Sequence, residues 1–297
     1  MIAAPEAASP AERDTMRGIL WMLVAVAGLG GIAISVRALK PDIEVPQLLF
    51  LRALIGLIVI TPFAVSNGWR GMISHRPGFQ VVRNITHVAA QYCVFFAIIT
   101  VPLAEVTSIE YTIPMMTAGM AALTLGEKVS RYRWYGMAAS FCGVLMIIRP
   151  GFAEVQPAVL MVVLGAIFFA LNNVMVKKLS MLDSASTMVF NMNAIQIVLL
   201  IIPALYVWVM PEWRHVPWIL GLGLSGMITH YCMSRALVHA DTSVLFPLDF
   251  LRLPFIAVIA WAFWGETFSA WVVAGALVIF TSTYITTRRE TRGEKTG

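Results

Sequence analysis

Residues 114–147, PMMTAGMAALTLGEKVSRYRWYGMAASFCGVLMI, can be laid over residues 253–286, LPFIAVIAWAFWGETFSAWVVAGALVIFTSTYIT, at a constant offset of 139. Gly126-Glu127 falls on Gly265-Glu266, Gly136 on Gly275, and Trp134 within two residues of Trp271. A little upstream, Glu110 falls on Asp249. Each stretch is a pair of continuous apolar runs joined by a short polar turn. The runs do not alternate as barrel strands would, so they read as helices. The chain therefore writes one helical hairpin twice.

The rest of the sequence fits a membrane around that hairpin. Of the 297 residues, 59% are hydrophobic and 12% charged, with a mean hydropathy of +0.80. A soluble domain carries about 25% charged residues, so this chain lacks the polar surface to coat a water-exposed globule. A hydrocarbon core about 30 Å thick takes about 20 apolar residues per helix. That window predicts ten spans, at 18–38, 46–66, 81–100, 103–125, 132–149, 156–176, 186–209, 217–237, 243–264 and 269–286. The breaks carry turn chemistry, as in KPDIEVP, SNGWRG, TVPLA, RPGFAEVQP and MPEWRHVP. The apolar run after Arg17 is longer than a signal-peptide core and reads as a retained first span.

The expected organisation is a disordered cytoplasmic tail over 1–17, a five-helix repeat over 18–151, a second over 152–287, and a basic cytoplasmic tail over 288–297. Five is odd, so the two repeats enter the membrane with opposite orientation. With the N-terminus cytoplasmic, fifteen Lys and Arg fall on the inner side, Arg83 and Arg235 among them. Four fall outside, namely Arg37, Lys40, Arg149 and Arg214. Arg52 and Arg252 lie within spans. Cytoplasmic connections carry the basic excess, so both termini are expected inside. The expected fold is an all-α membrane protein of ten transmembrane helices in two inverted five-helix repeats. Such repeats underlie many secondary transporters, with a site between the halves that opens to each side in turn.

The net charge of +5 is accounted for by its position at the membrane faces and does not signal nucleic-acid binding. Cys93, Cys142 and Cys232 are far apart in apolar runs and read as packing residues. No Walker A sequence, HExxH motif or Ser-His-Asp arrangement is evident, so neither a cofactor nor an ATPase subunit is implied. The expected partners are a small-molecule substrate and the lipid bilayer; monomer and homodimer stay open.

Three stretches carry a resemblance: FLRALIGLIVITPF (50–63), PLAEVTSIEYTIPMMTAGMAALTLGEKVSRYRWYGMAASFCGVLMIIRPG (102–151) and SRALVHADTSVLFPLDFLRLPFIAVIAWAFWGETFSAWVVAGALVIF (234–280). With its twice-written turn, Leu125-Gly126-Glu127 and Trp264-Gly265-Glu266, the chain resembles the drug/metabolite transporter superfamily and within it the EamA-type ten-helix transporters. The resemblance covers residues 17–290. It implies alternating access in a bacterial inner membrane and export of amino acids, aromatic ones included. A second implied reading is uptake of riboflavin or S-adenosylmethionine.

Ionisable groups inside spans are costly in lipid, which makes them the first site candidates. Arg52 reads as a gate or anion contact, or as a helix-packing arginine. Glu110 and Tyr111 precede Pro114, whose missing N–H frees a carbonyl one turn earlier, so the carboxylate sits beside a helix break. Asp249 and Arg252 are three apart and share a helix face, as an internal ion pair or as a site for a zwitterion. His87 and His230 are proton shuttles or neutral hydrogen-bonding groups. Tyr92 reads as a cavity residue. Asn172 and Asn173 are neighbours, about 100° apart on a helix, so one of them faces a cavity.

Overall fold

The computed structural model describes residues 15–40, 42–66, 68, 72–125, 131–149, 157–239, 245, 248–249, 251–267 and 269–293, and their regular structure is helical. The helices are α1 (Thr15–Leu39), α2 (Val45–Ser66), α3 (Pro77–Thr100), α4 (Leu103–Glu110), α5 (Ile113–Leu125) and α6 (Arg131–Ile148) in the first half. The second half holds α7 (Pro157–Leu179), α8 (Ala185–Tyr206), α9 (Val216–His239), α10 (Arg252–Trp264) and α11 (Ala270–Gly293). Five of them, α1, α2, α3, α7 and α8, are long and apolar enough to cross a membrane singly. The fourth expected span is split into α4 and α5. The break comes where Pro114 predicts it, because a proline ring clashes with the carbonyl four residues back, here that of Glu110. Thr112 Oγ1 caps the gap by donating to the carbonyl of Ile109 at 2.7 Å.

Two boundaries differ from the sequence reading. Helix α3 starts at Pro77, which suits the first turn because proline has no N–H to leave unsatisfied. Arg83 is thereby carried two turns into the helix and is buried rather than placed at the cytoplasmic surface. Helix α11 runs on to Gly293, so Arg288 and Arg289 extend a helix instead of forming a tail. Residues 1–14, the first Gly126-Glu127 turn, Pro247 and residues 294–297 lie outside the described residues.

Helix pairing runs between the halves. Helix α1 packs on α9, α2 on α8, α3 on α7, α4 on α10, and α6 on α11. The α6–α11 contact is antiparallel. Ser140 and Ser282 share a hydrogen bond of 2.8 Å, and a side chain on Gly275 would come within 2.6 Å of the Gly143 carbonyl oxygen. Small residues let backbones approach where lipid gives no hydrophobic drive for helix association. A shared core results, with Leu39, Leu48 and Ile109 from the first half meeting Leu222, Ile256 and Ile279 from the second. Val198, Ile202, Val258 and Phe263 are left exposed, as lipid-facing residues are.

Two Asp–His contacts tie connecting segments across the halves. Asp42, between α1 and α2, meets His215, before α9, at 3.1 Å. Asp183, between α7 and α8, meets His75, before α3, at 3.0 Å. The two contacts occupy matching places in the repeat, at opposite ends of the bundle. Asp183 also accepts from Ser74, from the His75 backbone at 2.9 Å and from Gln80 at 3.1 Å. Burial opposes its ionisation, but these hydrogen bonds outweigh burial and hold the carboxyl at about 2.

The second Gly-Glu turn shows what the motif does. Gly265 is left-handed (φ 64°) and ends α10, with its N–H on the Trp261 carbonyl at 3.0 Å. Glu266 is thereby delivered to Arg37 at the end of α1, with which it forms an ion pair, and to the N–H of Leu103 at 2.9 Å. Arg37 also donates to the carbonyls of Ile98 and Val101. This latch joins α1, α3, α4 and the α10–α11 turn at one end of the molecule.

Candidate functional site

A cavity of about 170 Å³ lies in the core, walled by α1, α2, α3, α4, α7, α9 and α10. Eight of its wall residues are polar or ionisable: Arg52, His87, Gln91, Thr107, Glu110, Thr229, His230 and Arg252. The remaining wall is apolar, with Phe95, Phe169 and Ile256 prominent. An apolar hollow with few polar groups is the usual form of a small-molecule site.

The acidic corner is built from both halves. Glu110, at the last residue of α4, pairs with Arg252, at the first of α10, with Oε2 and Nη1 3.4 Å apart. The Arg252 guanidinium also lies over the Tyr111 ring, 5.1 Å from its centroid. The Tyr111 hydroxyl donates to the Asp249 carbonyl oxygen at 3.1 Å. Asp249 Oδ1 is buried with no partner among the described residues, although the carboxylate acts electrostatically on Arg252. Two carboxylates thus surround one guanidinium. Sequence spacing puts Asp249 beside Arg252, on which it acts electrostatically, and the structure adds an ion pair with Glu110 across the two halves.

His87 and Gln91 come from the buried stripe of α3. Gln196 Nε2 donates to His87 Nδ1 at 3.1 Å, and the Phe169 ring stands edge-on to the imidazole at 5.6 Å. His230, an exposed residue of α9, also lines the cavity. Of the asparagine pair, Asn172 is buried and accepts from Arg83 Nε at 3.1 Å, while Asn173 is exposed and reaches Thr117. Neither lines the cavity. Tyr92 is also outside it and 40% exposed.

Arg83 was not a candidate from sequence, because a basic residue near a span boundary reads as an interfacial charge. The signal lay in its register. Gln80, Arg83, His87 and Gln91 recur at helical spacing, and all four are buried.

The profile of the EamA-like transporter family matches the chain twice, over residues 16–149 and 156–288. An S-adenosylmethionine uptake transporter of Rickettsia prowazekii is 23% identical, over 92% of this chain and 93% of that protein. A riboflavin transporter of Vibrio cholerae is 28% identical, over 95% and 96%. A pseudopaline exporter of Pseudomonas aeruginosa is 24% identical, over 88% and 93%. One crystal structure superposes with a TM-score of 0.65 at 16% identity, covering 93% of this chain and 98% of that one, a likeness of fold alone.

Proposed function

The chain belongs to the EamA-like transporter family, and from that premise we propose that it is a secondary transporter for small metabolites that carry an amino-acid group. Amino acids, aromatic ones included, are the first cargo and export the first direction. The observation that supports this reading is the imbalance at the acidic corner, where Glu110 and Asp249 surround the single cation Arg252. A substrate ammonium supplies the missing positive charge, and so does a proton. Either can loosen Arg252 from Glu110 without stranding a buried carboxylate, which is the main cost of breaking such a pair.

Glu110 and Arg252 belong to different halves, so a ligand that enters between them acts on the contact that must change when the halves rock. No ATP-driven step enters. The carrier moves cargo down its own gradient or exchanges it, in the inner membrane of a bacterium and with both termini cytoplasmic. It changes no covalent bond in what it carries.

A second reading, uptake of S-adenosylmethionine or riboflavin, is supported by what two of the relatives are named for. The deciding experiment is counterflow of labelled phenylalanine into proteoliposomes preloaded with unlabelled amino acids. Uptake above that of empty liposomes is expected, with competition from S-adenosylmethionine, which bears the same amino-acid group, and none from riboflavin. Absence of counterflow across a full amino-acid panel, with folded protein present, would overturn the amino-acid reading.

A further inference from the structure

Arg52 sits on α2 in the cavity wall and is 8% exposed. Its Nε and Nη1 are buried with no hydrogen-bond partner among the described residues. Arg37, Arg214 and Arg252 each meet a carboxylate, whereas Arg52 meets none among the described residues. A guanidinium is always charged, and taking it out of water without a partner carries a heavy desolvation penalty. An anion entering the cavity beside it would relieve that penalty.

Its neighbours do not cancel that charge: His87, which accepts from Gln196 at Nδ1, is a neutral imidazole, and Arg83 acts on the same histidine as a second cation. Room has been kept for the guanidinium as well. A side chain on Gly226 of α9 would put a carbon 3.3 Å from both Nε and Nη2, so this glycine leaves the arginine head open to the cavity.

We propose that Arg52 is the anion subsite of the cavity and takes the carboxylate of the cargo. The acidic corner at Glu110 and Asp249 and the basic corner at Arg52 then make the cavity bipolar. A free amino acid matches it with its own two charges. A simple amine or a neutral metabolite satisfies one corner at most. The assignment of the carboxylate to an amino-acid cargo rests on the proposed function; the subsite itself can be tested without it.

The test compares 3-phenylpropionate with its neutral amide as thermal stabilisers of the full-length protein in nanodiscs at matched ionic strength. The acid is expected to raise the melting temperature by about 2–4 °C at roughly ten times its dissociation constant, and the amide not to raise it. Arg52→Gln should abolish the acid's shift and Arg52→Lys retain part of it. Phenethylamine, which has no carboxylate, should act alike on wild type and Arg52→Gln. Should Arg52→Gln fail to fold, Gly226→Ala crowds the guanidinium without removing its charge and should weaken the acid's effect. Equal stabilisation by acid and amide in the wild type overturns the proposal, as does an undiminished acid shift in Arg52→Gln. An acid-specific shift alongside absent phenylalanine counterflow would sink the amino-acid transport reading and leave the subsite standing.

Discussion

Glu110 and Arg252 hold the two halves together, and in the proposed mechanism a ligand releases them. Their contact is 3.4 Å, with both side chains largely buried, so neither charge is well hydrated when the other is gone. Glu110→Gln keeps the shape and an acceptor for Arg252, and Asp249 remains as a second carboxylate. We expect its folded yield within about twofold of wild type and its transport reduced by at least about tenfold, because the ammonium loses its partner. Arg252→Ala instead leaves two carboxylates facing each other. Breaking a buried pair by removing one member costs about 3–5 kcal/mol, so this variant should melt well below Glu110→Gln. Thermal unfolding together with counterflow separates the two. Equal melting temperatures would mean that Arg252 holds no buried charge in place.

Among elements, the α2–α3 and α7–α8 connections depend on Asp183. Its carboxyl is held at about 2 in the fold, below the ordinary 3.8, so ionisation favours the folded state. That contribution is complete above pH about 4 and is lost as pH falls toward about 2. Asp183→Asn should therefore lower the melting temperature at neutral pH, with the gap to wild type closing across that acidic window. A gap that stays constant with pH would assign the effect to shape and not to charge. At this scale, much could be read from residues alone. Continuous apolar runs marked the helices, Pro114 marked the break between α4 and α5, and charges inside spans marked Arg52, Glu110 and Arg252. Burial of Arg83, exposure of Tyr92 and the choice of Glu110 as partner of Arg252 depend on which helix faces which. That is set by contacts between distant segments: the register of α3 marks which of its residues share a face with Arg83, but not which helix that face meets.

For the whole molecule, helices pair between halves and the two Asp–His contacts lie at opposite ends. Ile73 and Trp213 are both exposed near these ends. In a background free of Cys93, Cys142 and Cys232, Ile73→Cys is expected to react with a membrane-impermeant maleimide only after the cells are opened. Trp213→Cys should react in intact cells, and the reverse pattern would invert the proposed orientation. The pairing also bears on biogenesis. When the ribosome has made only the first half, α1, α2, α3 and α6 are in the bilayer without their main neighbours, which are still unmade. Insertion is then local and early, whereas assembly waits for the last helices to be translated. A nascent chain of this kind spends much of its synthesis with Arg37, Arg52 and Glu110 short of their mature surroundings. That interval is when membrane quality control has its best grip on it.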